Sequence, residues 1–302
     1  MDLIAPFARA LRADNPGPMT LDGTRSYVLR APGSRGCVVV DPGPELEPHL
    51  AALAGSGPVD LVLVTHRHAD HTGGLARFRE LTGAPSRGAL PEFCAGGDGA
   101  GVSDDGAGSA GGAGVGPLAD GEVLDVAGLR IEVLATPGHT ADSVCFVVSA
   151  SGTAAEGEPT GEATGATSDT VVLTGDTVLG RGTTVLAEPD GSLRDYLASL
   201  DRLSSTAERL GETGVMGLPG HGPVIPDLGA AVHAYREHRL ERLDQVRSAL
   251  ATLRAELPGG ETPLPDPLLD AVTAAVYTDV ERSVLGAARS SVRAQLEFLR
   301  ER

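Results

Sequence analysis

Short apolar runs broken by Gly and Pro turns fill most of the chain, and helical apolar spacing takes over toward its end. Tyr27-Val28-Leu29 and Cys37 to Val40 read as two short strands around a Pro-Gly turn, with Asp41-Pro42-Gly43-Pro44 ending the second, so a hairpin is expected to open the first domain. Asp60 to Val64, apolar from Leu61 onward, follows Gly57-Pro58 and predicts a buried strand; Gly73 to Leu81 has helix-like spacing. Further strands are predicted at 129–135, 143–149, 170–174 and 214–218, and helices at 45–54 and 192–210. Strands mixed with helices in this way argue for a layered α/β or α+β domain.

Two segments interrupt the rhythm. Residues 95–117 are mostly Gly, Ala and Asp, and 150–169 mostly Gly, Thr, Ala and Glu. Both are too poor in large apolar side chains to pack, and are expected to be flexible surface insertions or lids over a site. From Val232 the character changes: Val232, Tyr235, Leu240, Leu243, Val246, Leu250, Leu253 and Leu257 follow helical spacing, as do Leu268 to Val280 and Val284 to Leu299. A small helical appendage is therefore expected.

Composition narrows the chemistry. With 302 residues, 41% of them hydrophobic, the chain has enough material for a sizeable core. All 24 of its Lys+Arg residues are Arg, which excludes a Schiff-base lysine and a phosphate-loop lysine. The net charge is −17, and because residues 232–302 hold 10 Arg against 11 acids, residues 1–231 carry −16 of it. Such a field leans against a nucleic-acid partner, RNA included. Cys37, Cys94 and Cys145 form neither a disulfide framework nor a thiolate metal pattern. There is no apolar run long enough for a bilayer and no signal-like N-terminus, so no membrane partner and a cytoplasmic location are expected. Oligomeric state is left open by the sequence.

His66-Arg67-His68-Ala69-Asp70-His71 gathers three of the chain's eight histidines at the end of the predicted strand 60–64. In extended backbone, residues i and i+2 point to one side, so His66 and His68 can grip one metal while Asp70 and His71, in the following turn, face a second. Three other strand ends offer the remaining ligands: His139 in Thr136-Pro137-Gly138-His139-Thr140, Asp176 in Thr174-Gly175-Asp176-Thr177, and His221 in Pro219-Gly220-His221-Gly222. Two divalent metals about 3.5–4 Å apart share a hydroxide, lower its pKa and polarise the substrate. Asp70 is positioned to orient that hydroxide and take its proton, and Asp41 is a candidate to fix an imidazole tautomer.

In this order and spacing the motifs resemble those of the metallo-β-lactamase-fold hydrolases, over roughly residues 15–225. The resemblance implies an αββα sandwich, with His66, His68 and His139 on one metal, Asp70, His71 and His221 on the other, and Asp176 bridging. Asp176 stands where common di-zinc β-lactamases have Cys, so the set is similar to the glyoxalase II side of the superfamily. Residues 15–24, 175–180 with Thr183-Thr184, 219–225 and 238–246 further resemble the lactamase-β-2-like group. That likeness implies a catalytic domain over 1–228 and a winged-helix-like C-terminal domain over 229–302. The group includes fungal thioesterases acting on carrier-bound polyketides and an animal endoribonuclease directed at single strands.

The expectation is thus a hydrolase with two divalent metal ions, Zn first and Mn or Fe as alternatives. Its substrate is expected to be a small-molecule or carrier-bound ester or thioester, with single-stranded RNA as the alternative. Arg25, Arg67, Arg181 and Thr183 are the candidate substrate-binding residues. His49, His233 and His238 are expected on the surface or in packing roles, and Arg236, Arg239 and Arg242, interspersed with acids, on a solvated, salt-bridged helix face.

Overall fold

The computed structural model describes residues 1–97, 115–150, 170–186, 190–211, 214–259, 262–278 and 281–300. Most of both expected insertions, 95–117 and 150–169, lies outside the described residues. Six strands form one sheet in sequence order: β1 Asp2–Ala5, β2 Ala8–Arg12, β3 Arg25–Leu29, β4 Cys37–Val40, β5 Val59–Leu63 and β6 Ser86–Arg87. Five form the other: β7 Val123–Val126, β8 Leu129–Ala135, β9 Val144–Ala150, β10 Thr170–Gly175 and β11 Met216–Pro219, in spatial order β11-β10-β9-β8-β7. β1 and β2 precede the hairpin expected to open the domain, which is a correction; their pairing is antiparallel, Asp2 opposite Ala10.

The sheets are apolar on both faces because each is covered twice. Leu29, Val38, Val40, Leu61 and Leu63 of the first meet Ile131, Val133, Phe146, Val148 and Leu173 of the second in one buried cluster. The alternate residues point outward. Val28, Val39 and Val62 pack under helices α1 (Glu47–Ala54) and α3 (Leu75–Thr82) through Leu50, Leu53 and Phe78. Leu134, Cys145, Val147 and Val172 pack under α4 (Leu193–Leu210) through Tyr196, Leu200 and Leu203. Between β5 and α3 lies the single-turn helix α2, Ala69–Thr72. The layering is αββα, as the resemblance implied.

After β11 come α5 (Leu228–Leu253), α6 (Asp266–Val276) and α7 (Leu285–Arg300). Asp227 caps α5, its carboxylate accepting from the Ala230 amide at 3.0 Å. α5 joins the α4 core through Val232, Tyr235 and Leu243, and from Val246 onward packs against Leu269, Val272, Val292 and Leu296 of α6 and α7. Among the described residues this C-terminal part contains no strand, hence no paired wing. None of the described helices is long and apolar enough to cross a membrane.

Candidate metal centre

The loops that follow β5, β8, β10 and β11 meet. Thr65, just past β5, is held from both sides of its peptide: its amide donates to Asp41 Oδ1 at 2.8 Å and its hydroxyl to Asp41 Oδ2 at 2.7 Å. His66 to His68 then lead into α2, with His68 at its N-cap (φ −59°, ψ 141°), which places Asp70 and His71 on the turn that follows. The seven side chains expected to converge fall into two groups. His66, His68, His139 and Asp176 offer atoms all within 4.8 Å of one another, and Asp70, His71 and His221 do the same.

Asp176 joins the groups. Its Oδ2 lies 3.7 Å from His139 Nε2 and 3.3 Å from His221 Nε2, and its Oδ1 lies 3.5 Å from His71 Nε2. Gly220 permits that approach: a Cβ there would stand 2.4 Å from Asp176 Oδ1 and 2.7 Å from His71 Cε1. Gly138, at φ +136, does the same for the His139 loop, where a Cβ would meet the Tyr196 backbone at 2.4 Å.

Outer partners fix the rings. His71 Nδ1 contacts Asp41 Oδ2 at 2.8 Å, turning Nε2 toward Asp70, 3.3 Å away, and toward His221, 3.3 Å away. His139 Nδ1 donates to the Val185 carbonyl at 2.5 Å, which leaves Nε2 as the acceptor. Thr184 holds the Asp176 backbone through its hydroxyl at 2.8 Å. Thr24, buried, donates to Asp70 Oδ2 at 2.8 Å and is itself held by the Asn15 side chain at 3.0 and 2.9 Å. Thr24 escaped the residue-by-residue reading, although the stretch Asn15 to Thr24 stood out as a block.

The two groups differ in charge. Burial, with neighbouring imidazoles, holds His66 well below its usual range, and burial lowers His139 to about 4. These rings are neutral and present lone pairs. At His221 and His71 burial acts the same way but is outweighed by carboxylates: Asp176 and Asp70 lift His221 to about 9, and Asp176, Asp41 and Asp70 lift His71 well above its usual range. Asp70 and Asp176 are buried, which opposes ionisation, yet the His71 and His221 rings hold both far below the carboxylate range.

The donor set fits divalent cations. Asp176 Oδ1 is buried without a hydrogen-bond donor among the described residues, and His68 Nδ1 lies 3.0 Å from both His66 Nε2 and His139 Nε2. A cation among these atoms satisfies the orphaned oxygen and the crowded lone pairs together, where protons satisfy them only in part.

A cavity of about 330 Å³ adjoins His139 and Asp176. Arg181 and Thr183, both expected near substrate, line it. Arg25 and Arg67 do not: Arg25 donates to the Gly222 carbonyl and bridges toward Asp22, and Arg67 grips Asp190, with Nη1 to Oδ2 at 2.6 Å. They brace loops. Corrections apply on α5 as well. Arg239 is buried and, with His238 and Arg242, lines the cavity; of the three arginines only Arg236 meets the expected salt-bridged description, 2.7 Å from Asp201. His49 is buried, with Ser26 Oγ 2.8 Å from its Nε2, and His233 is exposed beside Glu237.

Comparison with known proteins agrees with this architecture. Residues 19–154 match the model of the metallo-beta-lactamase superfamily. The chain is 29% identical over 296 residues to an atrochrysone carboxyl ACP thioesterase of Aspergillus chevalieri, covering 93% of this chain and 78% of the relative. It is 28% identical over 244 residues to a beta-lactamase-like protein 2 homolog of Caenorhabditis elegans, covering 78% and 68%. A beta-lactamase domain protein from Burkholderia ambifaria shares the fold at a TM-score of 0.67 and 21% identity, over 98% of this chain and 87% of that one. Sheet order, converging histidines and these likenesses coincide: the chain has the metallo-β-lactamase fold and is similar in sequence to that superfamily.

Proposed function

We propose that the chain is a binuclear metal-dependent hydrolase acting on a small or carrier-bound ester or thioester. The observation that carries the reading is the meeting of two separate ligand groups on one carboxylate, Asp176, at the edge of a cavity. His66, His68 and His139 would hold one ion, Asp70, His71 and His221 the other, and Asp176 both. Two bound divalent ions supply Lewis acidity and a water of lowered pKa. With those ions bound, Asp70 would orient the attacking water and take up its proton, while Thr24 keeps the carboxylate turned by donating to Oδ2. Asp41 keeps His71 in one tautomer. Arg181 and Thr183 line the cavity and would meet a substrate entering it.

The ester or thioester class is supported by the likeness to a thioesterase over 93% of the chain, and the charge of −17 weighs against a track for RNA. A hydrolysis screen of acyl thioesters, lactones, a β-lactam and a 12-nucleotide RNA, with Zn or Mn added, tests the reading. Thioesters are expected to turn over fastest and to stop turning over when a chelator is present. Metal-dependent RNA cleavage with inert thioesters would replace this reading with the endoribonuclease one.

A further inference from the structure

Arg239 presents an unusual balance of charge. It is 3% exposed, no carboxylate among the described residues lies within ion-pair distance, and its Nε has no acceptor. One guanidinium NH₂ donates to the Thr184 carbonyl, and the group stacks 5.0 Å from the centre of the Tyr196 ring. A carbonyl and an aromatic face share a cation's hydrogen bonds without neutralising it, and a buried charge left so is costly. Where such a charge lines a cavity, an anion arriving in that cavity gains what the fold has left unspent.

The rest of the wall repeats the sign. Arg242 lies along the same helix, its guanidinium 4.8 Å from the Tyr277 ring centre and hydrogen-bonded only to the neutral Gln245, at 2.8 Å, among the described residues. Arg181 enters from the loop after β10, and His238 lines the same cavity. Burial lowers the His238 imidazole, and Arg239 and Arg242 lower it further against a weaker opposing pull from Glu241. In a chain with 41 acidic residues, the only carboxylate among the described residues lining this cavity is Asp176, at its metal end.

We propose that Arg239, Arg242 and Arg181 form a subsite for a phosphate carried by the substrate at a distance from its scissile bond, the chemistry of an acyl-phosphopantetheine thioester. The proposal rests on the hydrolase reading above and adds to it the feature by which substrate is recognised. Three guanidiniums at one cavity suit a single phosphate, and they present no track along which a polynucleotide backbone would lie. The same phosphate occurs on a carrier protein's prosthetic arm and in coenzyme A.

The test uses the metal-loaded full chain and two ligands that cannot be hydrolysed, S-methyl-phosphopantetheine and S-methyl-pantetheine, which differ only by the phosphate. Calorimetry is expected to find the phosphorylated ligand bound at least about tenfold tighter, with the difference shrinking as salt rises. Arg242→Gln combined with Arg181→Gln should bring the ratio close to one; Arg239→Gln should do the same if it folds, and the double variant keeps the test valid if it does not. Equal binding of both ligands by the wild-type chain overturns the proposal. So does a 12-nucleotide RNA that binds tighter than the phosphorylated ligand and is lost in the same double variant. Tighter binding of a phosphopantetheinylated carrier protein than of S-methyl coenzyme A assigns the carrier as source, and the reverse assigns the coenzyme; either result supports the subsite. Because the readout is binding, a chain that proves inert toward thioesters would refute the hydrolase reading and leave the phosphate preference to be judged separately.

Discussion

Asp41 Oδ2 and His71 Nδ1 lie 2.8 Å apart, both residues buried, and through this contact the end of β4 sets the direction in which the His71 imidazole, one of the candidate metal ligands, points. The same carboxylate receives the amide and hydroxyl of Thr65, so one side chain couples the backbone that launches His66 to the ring of His71.

Replacing Asp41 by Asn should therefore leave every proposed ligand in place and still weaken metal binding. Loss of such an outer partner costs about 10–100-fold in metal affinity. A competition titration with a chromophoric chelator would measure it, and unchanged affinity would remove Asp41 from the centre.

Elemental analysis of protein prepared without chelator should return two transition metals per chain for the wild type and close to one for His221→Ala, since His221 belongs to the second ligand group only. One metal in both proteins would contradict the binuclear reading.

Gly220→Ala should impair that loading without touching a ligand. Its Cβ would stand 2.4 Å from Asp176 Oδ1, inside any van der Waals contact, and would push the carboxylate or the β11 loop aside. Metal content below two in a variant with native circular dichroism is the expected result.

For Asp70→Asn, a large loss in turnover is expected, on the order of 100-fold or more, with KM changed much less, because a proton acceptor is needed chiefly in the transition state. A raised KM with turnover near normal would assign Asp70 to binding alone.

Most of the sandwich was legible because its central strands are buried on both faces and read as unbroken apolar runs such as Cys37 to Val40. The edge pair β1 and β2 was not, since β1 is four residues long with Leu3 exposed and only Ala5 buried, and β2 buries the small Ala8 and Ala10 on either side of the exposed Arg9. The seven converging side chains announced themselves by clustering beside glycines at strand ends. Arg239 could not: along α5 it is one arginine among acids, and its burial comes from Tyr196 and Thr184, which the fold alone brings to it. Arg67 misled in the opposite sense, standing inside the histidine motif while its guanidinium turns away to Asp190.

His49 supplies a pH dependence away from the metal centre. Burial lowers its folded pKa to about 4, below the unfolded value near 6.5. The unfolded chain thus binds the extra proton first, so the stability contributed by neutral His49 is complete above pH 6.5 and is lost as pH falls through 4, on the order of 2–3 kcal/mol. Thermal midpoints of the wild type should fall over that interval more steeply than those of His49→Gln. Parallel curves would show that His49 does not titrate differently on folding.

α5 extends unbroken from Leu228 to Leu253 and faces the cavity with His238, Arg239 and Arg242. Every side chain in the two ligand groups comes from residue 221 or earlier. On the proposed reading, reactivity and selectivity are thus written chiefly in different stretches of the chain. A lineage can exchange residues on one face of one helix, and with them the molecules it accepts, while the chemistry it inherits passes on untouched.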